Sequence, residues 1–192
     1  MRNHLNIAIR MTILTAVLLG LLYPLVITGI AQVVFPGVAN GSLMKVNGQV
    51  VGSSLIAQGF TQAKYFQPRP SAAGKGYDAM ASSASNLGPT NRALIDRVSA
   101  AVDQAVRQDP GLLKGKVPVD MITTSGSGLD PDITVANARA QAPRVAAARG
   151  MSLATVLRLV AAHTTGRTFG FLGEPRVNVL QLNLALDAAP GG

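Results

Sequence analysis

The sequence predicts an α+β protein with one N-terminal transmembrane helix, followed by a single mixed α/β extracytoplasmic domain. Three observations lead there. The first is a long uncharged apolar run near the N-terminus. The second is the mixture of helical stripes, hairpin signals and alternating stretches after it. The third is composition: 192 residues, 48% hydrophobic, 14% charged and no cysteine. A disordered charged tail needs far less hydrophobicity. The missing cysteine excludes a disulfide scaffold, thiolate metal sites, a cysteine nucleophile and a lipoprotein anchor.

No charged side chain lies between Arg10 and Lys45. Within that gap Ile13 to Phe35 is a run of 23 residues, 14 of them Leu, Ile, Val or Phe. As a helix it spans roughly 34 Å at about 1.5 Å per residue, enough for a ~30 Å hydrocarbon core. Pro24 near its middle is expected to kink it, which membranes tolerate when a neighbouring helix covers the freed carbonyl. Arg2 and Arg10 precede the run, and only Lys45 follows closely. Positive charge stays inside. The expected division is therefore residues 1–12 in the cytoplasm, 13–35 across the membrane and 36–192 outside. A cleaved signal peptide ending at Ala31 is the competing reading, opposed by the apolar run continuing beyond that point. Thr12, Ala16 and Gly20, at i, i+4 and i+8, form a small-residue face that lets another helix approach closely.

Residues 36–192 carry 15 basic and 9 acidic side chains. Asn47-Gly48 between short β-prone runs predicts a hairpin. Residues 59–90 are rich in Gly, Pro, Ser and Ala, contain Phe60, Tyr65, Phe66 and Tyr77, and predict a long irregular connection of the kind that carries contacts. A helix capped by Thr90 or Asn91 follows, with a stripe from Leu94 through Val106, and Pro110-Gly111 ends it. Val117–Thr124 reads as a short strand. Residues 134–149 read as helical, with a break or restart at Pro143. Ser152 caps the next helix and Gly166 closes it. After Pro175 the pattern fits either an alternating strand or a helix capped by Asn178, and the Leu/Ala-rich composition favours helix.

Chemistry is sparse. The histidines are His4 and His163 alone, so a catalytic metal centre is not expected. Asp130 and Asp132 lack the run of oxygen ligands a calcium loop needs. A serine hydrolase would have to join His163 to Ser125 or Ser127 and to Asp120 or Asp130, but no Gly-x-Ser-x-Gly is present. The Ser125-Gly126-Ser127-Gly128 loop could present N–H groups to an anion, yet the phosphate-loop pattern is missing and the loop should face away from cytosolic nucleotide. The basic residues are spread out, so nucleic acid is not an expected partner, whereas the lipid bilayer is.

Several blocks, in order, carry a resemblance: Tyr65–Ala72 (YFQPRPSA), Ala81–Asn91 (ASSASNLGPTN), Val117–Pro131 (VPVDMITTSGSGLDP), Arg144–Gly150 (RVAAARG) and His163–Asp187 (HTTGRTFGFLGEPRVNVLQLNLALD). The chain resembles the C subunit of the Kdp potassium-transporting ATPase, the KdpC family, over nearly its whole length. It departs at Ser83-Ala84, where Gly-Gly is usual, at Asp132, where His is common, and at Thr165, where Glu is common. The resemblance implies an accessory subunit of a high-affinity potassium uptake complex. That complex also contains a channel-like potassium-translocating subunit and a P-type ATPase subunit. The C subunit stabilises their assembly and is described as a catalytic chaperone that raises ATP affinity. This chain lacks the Asp-Lys-Thr-Gly phosphorylation motif. It is thus expected to bind no cofactor directly, ATP and potassium being handled by its partners, and to sit in the cell (inner) membrane. The alternative is an anchored or secreted binding module or hydrolase unrelated to transport. The expected partner contacts are Thr12, Ala16, Gly20, Tyr65, Arg69, Asn86, Asn91, Asp130, Arg167, Glu174, Arg176 and Asn178. Ser125 to Gly128 are the weak candidates for nucleotide.

Overall fold

The computed structural model describes residues 2–189. The chain divides into two compact units, one through Val51 and one from Gly52 onward.

The first unit is dominated by one apolar helix over Arg2–Val34, 33 residues long. At about 1.5 Å per residue it reaches ~50 Å, longer than the ~30 Å hydrocarbon core, so it extends past the apolar run toward Arg2. It comprises α1 (Arg2–Val17), a π-helical turn (Leu18–Leu22) and α2 (Tyr23–Val34). The π turn lies directly before Pro24, and the Tyr23 N–H donates to the Leu18 carbonyl. Widening the turn is one way a helix absorbs a proline that clashes with the preceding turn. At the far end Phe35 leaves helical geometry. A short helix α3 (Pro36–Ala39) follows, and the Asn40 amide donates to the Gln32 side chain at 3.0 Å and to the Pro36 carbonyl at 2.7 Å. Asn47 and Gly48 both take positive φ between β1 (Leu43–Val46) and β2 (Gln49–Ser53), as a tight hairpin requires.

The second unit packs helices on a small antiparallel sheet. Its strands are β3 (Asp132–Thr134), β4 (Thr164–Thr165) and β5 (Arg176–Asn178), in the order β3-β5-β4. Ile133 pairs with Val177, and Thr164 pairs with Val177 from the other side. The helices are α4 (Arg92–Gln108), the single turn α5 (Val119–Ile122), α6 (Val135–Arg149), α7 (Leu153–Ala162) and α8 (Val179–Ala188). Phe66, Ile133, Ala142, Val145, Val156, Val160, Val177, Leu182 and Leu186 form the core. Residues 59–90 contribute no regular element, only turns and bends, yet they carry Phe66 into that core.

Three expectations need correction. Val117–Thr124 is not a strand but holds α5, because the Asp120 carboxylate is drawn inward to the Thr134 N–H at 2.7 Å, the Thr134 hydroxyl at 3.0 Å and the Asn137 amide at 3.0 Å. Residues 135–149 form one helix straight through Pro143. Burial of Ala142, Val145 and Ala146 together with the bonds of Gln141 and Arg144 offsets the hydrogen bond that proline forfeits. Helix α7 ends at Ala162, not at Gly166, because Thr164 and Thr165 are claimed by β5. The caps fall where their side chains predict: Asn91 accepts from the Ala93 N–H, Ser152 from Thr155 and Asn178 from Gln181.

Candidate functional site

Helix α6 turns a polar stripe inward. Asn137, Gln141 and Arg144, at i, i+4 and i+7, are all buried. Gln141 donates to the Asn137 side chain at 2.7 Å and to the Gln67 carbonyl at 3.0 Å, and accepts from the Gln67 N–H at 2.8 Å. Arg144 donates to Asp109 at 2.8 Å and to the carbonyls of Ala63 and Tyr65. Burial nevertheless holds the Asp109 carboxyl above its ordinary range, against the pull of Arg144. This stripe fixes the irregular segment 63–67 to the core.

Just beyond that segment, Arg69 reaches into a cleft of about 210 Å³ lined by Arg69, Asp120, Asp130, Asp132, Ile133, Thr134, Glu174, Pro175 and Arg176. Arg69 pairs with Asp130 at 3.2 Å and donates to the Thr124 carbonyl at 3.1 Å. Arg176 pairs with Asp132 at 3.0 Å, and Arg167 grips both carboxylate oxygens of Glu174 at 2.7 and 2.8 Å. Burial raises the Asp132 carboxyl; Arg176 opposes this, while neighbouring Asp130 adds to it. Asn178 sits behind the cleft, donating to Asp132 at 3.3 Å and to the Ser54 carbonyl at 2.8 Å.

The structure thus gathers Arg69, Asp130, Glu174 and Arg176, with Arg167 and Asn178 bonded to the lining. It places the other expected contact residues elsewhere. Tyr65 hydrogen-bonds Asp187 at 3.2 Å, with Lys64 and Arg149 each 5.1 Å from its ring centre. Asn91 is a helix cap. Asn86 is exposed with φ 52°. Thr12, Ala16 and Gly20 are exposed on the apolar helix, and a Cβ at Gly20 would meet no atom within 4 Å.

The serine–glycine loop is occupied by the fold itself. The Ser127 carbonyl accepts from the Ser83 N–H and the Ser82 hydroxyl, both at 2.9 Å. Ser127 Oγ accepts from the Leu129 N–H, and the Gly128 carbonyl accepts from the Ser71 hydroxyl at 2.6 Å. Gly128 has φ 69°, and a Cβ there would lie 2.5 Å from the Ser83 carbonyl oxygen. The loop's carbonyls brace residues 71–83, while its hydroxyls bond each other and the Leu129 N–H. His163 is bonded to the Leu159 carbonyl at 2.9 Å at the end of α7, and Asp120 and Asp130 are engaged as described above, so no serine–histidine relay is assembled. Among the described residues no group of three His, Cys, Asp or Glu is placed to hold a metal.

Two features escaped the sequence reading. One is the buried stripe of α6, whose polar residues look like an ordinary solvent face. The other is the tip of the loop joining β4 to β5, where Phe169, Phe171 and Leu172 are 83%, 70% and 50% exposed. The clue was available: Phe-Gly-Phe lies in an uncharged stretch between Arg167 and Glu174.

An apolar helix long enough to cross a membrane, carried on the same chain as an α+β domain, is the architecture of a membrane-anchored protein. Comparison with known proteins agrees. The model of the family described as "KdpC: K+-transporting ATPase, c chain" matches residues 5–188. A potassium-transporting ATPase KdpC subunit of Myxococcus xanthus is 58% identical over 193 residues, covering 96% of this chain and 91% of its own. Those of Acidobacterium capsulatum and Mycobacterium bovis are 58% and 54% identical, covering 96% and 97% of this chain and 98% and 99% of theirs. The chain belongs to the KdpC family. It is an accessory, single-pass membrane subunit of a Kdp ATPase with a cytoplasmic N-terminus and an extracytoplasmic main domain, and the reading as an independent module or hydrolase falls away.

Proposed function

We propose that residues 13–35 cross the bilayer, that 1–12 lie in the cytoplasm, and that 36–192 stand over the outer mouth of the channel-like potassium-translocating subunit. The domain docks there through segments 65–91, 123–131 and 163–178, and the Thr12, Ala16 and Gly20 face packs against a partner helix. Together these two attachments hold the channel-like and ATP-hydrolysing subunits in one assembly. The observation that carries this reading is the convergence of Arg69, Asp130, Glu174 and Arg176, drawn from three of these sequence blocks, on one open cleft. An outer domain cannot touch cytosolic ATP. Any rise in ATP affinity is therefore a coupling free energy passed through the complex, and it must be reciprocal. Ser125 to Gly128 act in this reading as a brace rather than a phosphate cradle.

The test is co-purification of the three subunits after substitutions in each docking segment. Loss of stoichiometric assembly is expected. Unaltered assembly across all three segments contradicts the proposal.

A further inference from the structure

We infer that the β4–β5 loop tip, Phe169, Phe171 and Leu172, is the apolar anchor of the docking surface and enters an apolar recess on the outer face of the channel-like subunit. This rests on the docking reading above and deepens it.

The tip is built to be dry. Its residues 168–173 carry no charge. Thr168 and Leu172 exchange both backbone hydrogen bonds, each at 2.9 Å, while the Gly170 N–H donates to Arg167 and the Phe171 N–H to Thr168. A peptide tip with these groups already paired loses little on desolvation. Phe169 holds φ 54° and Gly170 φ 81°, a turn that turns the rings away from the domain. Residues 165–176 are all exposed, but the large apolar side chains among them are gathered at the apex.

Charge and area select the occupant. In and beside the cleft next to the tip, Arg69, Arg167 and Arg176 pair with Asp130, Glu174 and Asp132, and the Asp120 carboxylate lines the same cleft. A collar with no excess of positive charge offers no attraction to anionic headgroups, whereas an apolar centre within a mixed-sign rim is the anatomy of a protein interface. The two rings expose ~300 Å² of apolar surface, against the ~800 Å² per partner that a free-standing interface needs. That is too little for a dimer of this chain. It suffices for a second attachment on a chain whose helix is already packed in the same complex, because the linkage raises the effective concentration of the tip.

The experiment uses the intact three-subunit complex in nanodiscs. The chain has no cysteine, so Phe169→Cys carries a bimane label uniquely within it once partner cysteines are removed. The expected result has two parts: a blue-shifted, water-shielded label in the complex but not in the chain alone in nanodiscs, and a Phe169→Ser/Phe171→Ser variant that leaves the complex about tenfold faster or more. Thermal unfolding of that variant should match the parent, since the rings are exposed. Quenching of the label by brominated lipid in the chain alone assigns the tip to the bilayer and overturns the inference, and so does unchanged dissociation of the double variant. Crosslinks from segment 65–91 to the channel-like subunit separate the two levels. If they persist while the tip variant is silent, the anchor alone is wrong; if they are absent, the docking reading fails with it.

Discussion

Asn183 holds Phe66 by both of its backbone groups. The Asn183 amide donates to the Phe66 carbonyl at 2.9 Å, and its carbonyl oxygen accepts from the Phe66 N–H at 2.8 Å, with the pair buried and 117 residues apart in sequence. One side chain thus does for an irregular segment what a neighbouring strand does in a sheet, satisfying donor and acceptor together so that the ring can be carried into the core.

Replacing Asn183 by Leu strands two buried backbone groups at once. Asn183→Leu is expected to cost about 2–4 kcal/mol. Urea unfolding of the full chain in detergent measures it. A loss below 0.5 kcal/mol, the range of an ordinary surface change, contradicts the clamp.

The two glycines of the serine–glycine loop should behave oppositely. Gly128 combines φ 69° with a backbone oxygen 2.5 Å from any Cβ, whereas a Cβ on Gly126 meets nothing within 4 Å. Gly128→Ala should destabilise by about 1–3 kcal/mol and Gly126→Ala by under about 0.5 kcal/mol, read as melting temperature. A nucleotide cradle instead needs both glycines for ligand binding and neither for stability.

Acid should not weaken the domain through Asp109. Its carboxyl is held above 3.8 by burial, even with Arg144 at 2.8 Å. The folded state therefore binds this proton more tightly than the unfolded chain does. The linked stability is fully present below 3.8 and is lost as pH rises through the higher folded value. Melting temperature across pH 4–7 should thus rise toward acid more in the parent than in Asp109→Asn. The opposite slope means that the ion pair outweighs burial.

Gly20 gives a clean probe of helix packing, because a Cβ there meets no atom of another segment within 4 Å. Gly20→Leu should leave membrane insertion and domain stability unchanged while lowering the yield of co-purified complex several-fold. Equal yields remove the small-residue face from the interface. The π turn through Gly20 bears on this: its wider turn counters the drift of a regular helix, keeping Pro24 closer to the line of Ala16 and Gly20.

What was legible in the sequence was local. Asn47-Gly48, Asn91, Ser152 and Asn178 act within a few residues, and each does what its side chain predicts. What was not legible depends on distant partners. The strand-like Val117–Thr124 becomes a helical turn because Asp120 bonds residues 14 and 17 positions away. Pro143 fails to break α6 because Gln141 and Arg144 are tied to residues 74 and 81 positions back. The charged cleft residues could be named from sequence blocks, but their convergence needed the β3–β5 register that pairs Asp132 with Asn178 and Thr134 with Arg176. Phe169 and Phe171 were passed over because an apolar residue is assumed to be core until a structure shows it bare.

The most direct test is the side of the membrane on which the domain stands. Leu113, 60% exposed and outside every proposed docking segment, can be changed to the chain's sole cysteine. A membrane-impermeant maleimide should label Leu113→Cys in intact cells expressing the whole complex. Labelling only after permeabilisation would put the domain beside the nucleotide and contradict the outer docking.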